Sequence, residues 1–73
     1  MKTYTVLAAH TQEAVEAGQC DIVETFDTSK EARAYAKRTL TDEYQRQNEM
    51  AEPIRYAKVE NDAGECIADY FRK

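Results

Sequence analysis

The side chains able to hold a metal or attack a substrate are few. His10, Cys20 and Cys66 are the strongest ligand candidates among the 73 residues. A metal centre needs several such ligands to converge, and none of the three belongs to a short pair such as Cys-x-x-Cys. They read as a surface histidine and two small structural thiols. Catalysis by a cysteine needs a thiolate held beside a base. With one histidine and no flanking signature at either cysteine, that pairing has no support. Carboxylates are more plentiful: Glu60, Asp62, Glu65 and Asp69 gather around what reads as a hairpin. Two carboxylates do acid–base work only in a pocket that separates their pKa values, so a solvated acidic rim is the simpler reading. Asn61-Asp62-Ala63-Gly64-Glu65 lacks the alternating acids and closing Glu of a calcium loop. Neither glycine stands in a P-loop, a dinucleotide fingerprint or a nucleophile elbow. The expectation is a non-catalytic chain with no cofactor and no metal.

Charge narrows the partners. Ten Lys and Arg stand against fourteen Asp and Glu, a net charge of −4. Such a field repels phosphate, which disfavours a general grip on nucleic acid or on an anionic membrane. The charge is uneven. Residues 1–28 carry one basic residue, Lys2, against Glu13, Glu16, Asp21, Glu24 and Asp27. Residues 29–46 are net positive. Within them Lys30, Arg33 and Lys37 stand nearly in line along a helix, a candidate nucleic-acid-binding stripe whose plainer reading is a solvated outer face.

Those residues must be positioned by secondary structure. Lys2 to Ala9 alternates Tyr4, Val6 and Ala8 with Thr3, Thr5 and Leu7, which predicts a strand. For His10 to Gln19 two readings stand: a short helical turn capped by Thr11 and stopped by Gly18, or a long hairpin loop. Cys20 to Phe26 reads as a second strand. Thr28-Ser29-Lys30-Glu31 matches the capping box. Beyond it Ala32, Tyr35, Ala36, Leu40 and Tyr44 recur on one helical face, with Arg38–Asp42 and Asp42–Arg46 as i,i+4 pairs. Pro53 forbids continuation and biases Glu52 away from helix. The spacing predicts one helix over about 29–50, on the order of 30 Å long. Ile54 to Glu60 and Glu65 to Phe71 read as strands three and four. Asn61 suits the first position of the turn between them, and Gly64 the positive φ that follows it.

The segment Glu24-Thr25-Phe26-Asp27-Thr28-Ser29-Lys30-Glu31-Ala32-Arg33-Ala34-Tyr35-Ala36 resembles the strand-to-helix step in the arm-type DNA-binding domains of phage integrases. The chain departs from that family by continuing into another hairpin, by lacking a catalytic domain and by its acidity, so no DNA-binding function is carried over.

The simplest architecture is α+β: one small domain with a four-stranded, mainly antiparallel sheet in ββαββ order and one long helix packed on one face. The other face then meets solvent or a partner unless residues 11–17 fold over it. By parity Tyr4 groups with Val6 and Ala8, Tyr56 with Ile54 and Lys58, and Tyr70 with Cys66 and Ala68. On an outer face these tyrosines would make a recognition patch; under the helix they would be core. A Cys20–Cys66 bridge requires that their strands be neighbours. No apolar run approaches the about 20 residues of a membrane span, and no long apolar leader begins the chain, so a cytoplasmic location and no membrane partner are expected. The leading expectation is a protein-binding module, an acidic inhibitor or adaptor that occupies a basic site on another protein. Its contact residues are Tyr56, Tyr70, Asp62 and Glu65. A second copy meeting the sheet face or an open edge is a further partner. The alternative is a nucleic-acid-binding accessory protein using Lys30, Arg33 and Lys37.

Overall fold

A computed structural model describes residues 3–49 and 53–72. The elements run β1 (Tyr4–Ala9), α1 (Gln12–Glu16), β2 (Ile22–Phe26), α2 (Ser29–Thr39), α3 (Asp42–Gln47), β3 (Tyr56–Glu60) and β4 (Cys66–Phe71). The strands form one antiparallel sheet in the order β2-β1-β3-β4. The α+β class and the four-stranded antiparallel sheet are therefore as the sequence predicts. The ββαββ order and the single long helix are not. Lys2, Met50 and Glu52, at the predicted ends of strand and helix, lie outside the described residues.

The first departure is a break in the helix. α2 ends at Thr39 with Leu40 as its C-cap, and Thr41 opens α3. Thr41 has extended backbone (φ −83, ψ 153), and its Oγ1 accepts from the Tyr44 N–H at 3.2 Å. The same hydroxyl donates to the Arg38 carbonyl at 2.8 Å. One threonine thus ends one helix and caps the next, satisfying groups that a helix terminus leaves open. Gln45 fixes the junction: its amide NH2 donates to the Thr39 carbonyl, and its Oε1 accepts from the Ile54 N–H at 3.0 Å. Arg38 and Asp42 consequently lie on different helices, and Asp42 forms an ion pair with Arg72.

The second departure is α1. Of the two readings for residues 10–19, the structure takes the helical turn. Thr11 Oγ1 accepts from the Ala14 N–H at 3.0 Å. The turn closes with Gly18 at φ 79, where Gly18 N–H bonds to the Val15 carbonyl and Gln19 N–H to the Ala14 carbonyl. That pair of bonds is the Schellman closure, which favours glycine.

Alternation divides the sheet into two faces. α2 lies on the face made by Val6 and Ala8 of β1, Ile22 of β2, and Ala57 and Val59 of β3. The helix contributes Ala32 and Ala36, both with no exposed surface, so helix and sheet approach closely. Ile54 fills the space ahead of β3 and is the largest fully buried side chain among the described residues. On the other face α1 sets Ala14 and Val15 against Ala9 and Tyr56, with Leu7 and Cys20 at the margin. That face is therefore half covered, the outcome for residues 11–17 folding over it.

Candidate functional site

The three strand tyrosines neither form one outer-face patch nor lie together under one helix. Tyr56 pairs across the sheet with Phe71, and Ala57 with Tyr70, so Tyr56 and Tyr70 point to opposite faces. Tyr4 and Tyr70 pack against the α2 core, and Tyr56 lies beneath α1 at 4% exposure. Parity misgroups two sets for identifiable reasons. Residues 53–55 precede β3, and Ile54 joins the α2 core while Tyr56 faces away from it. Between Val59 and Glu60 the β3–β4 register shifts, so Cys66 lies opposite Glu60 while Ala68 lies opposite Val59. A bulge of this kind changes which side chains share a face.

Tyr56 is held on three sides. Its ring centroid is 4.9 Å from that of Phe71, and its hydroxyl donates to Asp69 Oδ2 at 3.3 Å. Burial first, then the Asp69 carboxylate, pushes its phenol up to about 12. Phe71 is 59% exposed, so the aromatic surface offered to solvent here is Phe71 rather than Tyr56. Tyr70 is half-buried, with Lys37 Nζ 5.3 Å from its ring centroid, a cation–π distance.

Asp62 and Glu65 stand on a well-built turn. Asn61 Oδ1 accepts from the Ala63 and Glu65 N–H groups at 3.0 and 2.9 Å. Gly64 N–H closes onto the Asn61 carbonyl at 3.0 Å, and Gly64 takes φ 81. Four local preferences agree: the Asx turn, the β-turn bond, the left-handed glycine and the strand pairing. Both carboxylate residues are exposed at the tip. Near the middle of the half-covered face, Lys58 Nζ lies 2.9 Å from Glu60 Oε2, and the hydrogen bond to Glu60 raises the lysine pKa.

Both cysteines are free. Cys66 is on β4 and Cys20 leads into β2, and these strands are the two edges of the sheet rather than neighbours. Burial pushes the Cys20 thiol up, which favours its protonated form. His10 Nδ1 lies 3.6 Å from Asp21 Oδ2 at the β1–β2 corner, a pairing the sequence did not suggest. Among the described residues no three His, Cys, Asp or Glu side chains converge to hold a metal ion. Among them too, no helix is long and apolar enough to cross a membrane.

Lys30 and Arg33 are exposed on α2, in line with Lys37. Beside Lys37 a shallow groove of about 510 Å³ runs between Leu40, Tyr70, Phe71 and Arg72. A second open groove, of about 720 Å³, lies beyond the Asp42–Arg72 ion pair.

Sequence reasoning missed the aromatic row that ties helices to sheet. Phe26 and Tyr35 have centroids 5.1 Å apart, Tyr35 and Tyr44 6.2 Å, and the two tyrosine oxygens are 3.2 Å apart. The spacing of Tyr35 and Tyr44 on one helical face was the available signal. It pointed to a helix-to-sheet contact, and the broken helix brings the two rings together instead. Comparison with protein-family models, with curated protein sequences and with solved structures finds no match.

Proposed function

We propose that the chain is a non-catalytic module that binds another protein through a basic site on that partner, as an inhibitor or adaptor would. The observation that carries this reading is the acidic turn. Asp62 and Glu65 project from a backbone already fixed by Asn61 and Gly64, so presenting them costs little ordering entropy on association. The uncovered part of the sheet face adds exposed apolar surface at Phe71 and Val23, 59% and 58% exposed. In this reading Tyr56 acts from beneath, holding Phe71 in place, at the end of the hairpin away from the Asp62–Glu65 turn, and Tyr70, opposite Ala57, faces α2.

The test is a pull-down from the source cell's lysate with the wild-type chain and with Asp62→Lys/Glu65→Lys, in nuclease-treated and untreated halves. The expected result is a protein recovered by the wild type in both halves and lost with the charge-reversed variant. Equal recovery by the variant overturns the acidic turn as the contact. With the partner purified, the reversal should slow association about tenfold at low salt, since steering acts on the on-rate.

A second reading has one observation in its favour. Lys37 lies over the Tyr70 ring, so a basic stripe and an aromatic platform adjoin, as single-stranded nucleic acid requires. Here Lys30, Arg33 and Lys37 supply the phosphate contacts. Salt-dependent retention of a single-stranded oligonucleotide, lost in Lys30→Glu/Arg33→Glu/Lys37→Glu, would favour it over the first.

A further inference from the structure

The two edges of the sheet differ. β4 departs from regular pairing by a register shift near its start, and Arg72 follows it. β2 pairs with β1 in unbroken register from Tyr4–Phe26 to Ala8–Ile22. Exposed edges are usually blunted by a lysine, a proline or a bulge. β2 has no Lys, Arg or Pro, nor does any position between Lys2 and Lys30. Its Val23, Glu24 and Thr25 are exposed. Asp21 N–H donates to the Ala8 carbonyl, and Ala8 is opposite Ile22. The two-residue alternation then turns the backbone groups of Ile22, Glu24 and Phe26 toward β1, and those of Val23 and Thr25 outward.

Charge says what can use that edge. Asp21, Glu24 and Asp27 are all exposed along it. Two copies of β2 paired antiparallel about Glu24 would set Glu24 against Glu24 and Asp21 against Asp27, which opposes self-pairing. The same acids attract a strand of opposite sign. We propose that the free edge of β2 takes an extended, basic segment of a partner protein as an added strand. The inference rests on the protein-binding reading above and specifies a site and a partner chemistry for it. Glu24 is opposite Val6, on the α2 side of the sheet, and Val23 is opposite Leu7, on the other. The added segment therefore sets a Lys or Arg beside Glu24 on one side of the sheet and a β-branched or apolar residue beside Val23 on the other, with Asp21 and Asp27, on Val23's side by alternation, flanking its two ends. Main-chain bonds supply the affinity and the alternation supplies the selectivity.

The experiment is an NMR titration of the full chain, at low salt, with a capped peptide alternating valine or threonine with lysine. A control peptide carries glutamate in place of lysine. The expected result is that amide shifts concentrate on 22–26, with no response to the glutamate peptide. Thr25→Pro should abolish the response, because it removes an outward N–H that the fold does not use. Glu24→Lys should weaken binding about fivefold to tenfold. Should the proline variant lose its native spectrum, Glu24→Lys decides the matter. Shifts confined to the 61–65 turn overturn strand addition while leaving the protein-binding reading intact. Equal response to both peptides, or none to either, also overturns it. The protein-binding reading itself stands or falls in the separate pull-down, so the two failures are distinguishable.

Discussion

Tyr56 shows how one short helix changes a side chain's role. On β3 alone it would be an exposed aromatic; beneath Ala14 and Val15 it becomes part of the core. Its phenol is pushed up to about 12 by burial and then by Asp69, and that of Tyr35 to about 12 by burial and then by its hydrogen bond to Tyr44. Both start from an ordinary value of 10.0. Between these two values the folded chain holds protons that the unfolded chain has released. Stability from these tyrosines is therefore complete below pH about 10 and falls as the pH rises toward about 12. Urea unfolding at neutral pH and at successive steps above pH about 10 checks this, the expected result being a falling midpoint on the alkaline side only. Tyr56→Phe should cost about 1 kcal/mol at neutral pH, through the lost bond to Asp69, and should flatten part of the alkaline decline. A parallel decline in wild type and variant would assign the effect to other groups.

The elements are held by local devices more than by length. Thr28 Oγ1 accepts from the Glu31 N–H at 3.2 Å, and Thr41 does the same for Tyr44. Thr28→Ala and Thr41→Ala should each cost about 1 kcal/mol in urea unfolding. The Thr41 variant should also speed hydrogen exchange at the Tyr44 amide, which the Thr28 variant should leave alone. These devices mark what was legible beforehand. The Thr28–Glu31 box and the Asn61–Gly64 turn could be read because every group they use lies within five residues. The carboxylate of Glu31 takes a different partner from the one the box suggests, accepting from the Thr28 hydroxyl at 3.2 Å. The break at Leu40–Thr41 was not legible, because Leu40 and Tyr44 keep helical spacing across it. Which tyrosines share a face was hidden too, since Ile54 stands outside the strand alternation and the register shift at Val59–Glu60 depends on the partner strand. The hairpin acids were therefore foreseeable as exposed, whereas the β2 edge became a candidate site only once the strand order was known.

Across the whole molecule, the exposed acids of the proposed binding surfaces stand apart from the fully enclosed side chains of the core. Beneath α2 the packing is narrow: Val6, Val59 and Ile54 are the large apolar side chains fully enclosed, and alanines fill most of the rest. A chain of this size buries only about 60% of the surface its unfolded form exposes, so its stability margin is small. Ile54→Ala should cost about 2–5 kcal/mol, enough to populate the unfolded chain at ambient temperature, and Ile54→Val about 1 kcal/mol. The acidic turn and the β2 edge draw on none of these enclosed side chains. Stability and binding should therefore separate in one pair of variants. Ile54→Val should lower the unfolding midpoint while partner association, measured well below it, stays at the wild-type value. Asp62→Lys/Glu65→Lys should keep the midpoint nearly unchanged and lose the partner, because both residues are exposed and their turn is closed by Asn61 and Gly64. If both variants lost binding in proportion to stability, recognition would depend on global order, and the preformed acidic turn could not be its basis.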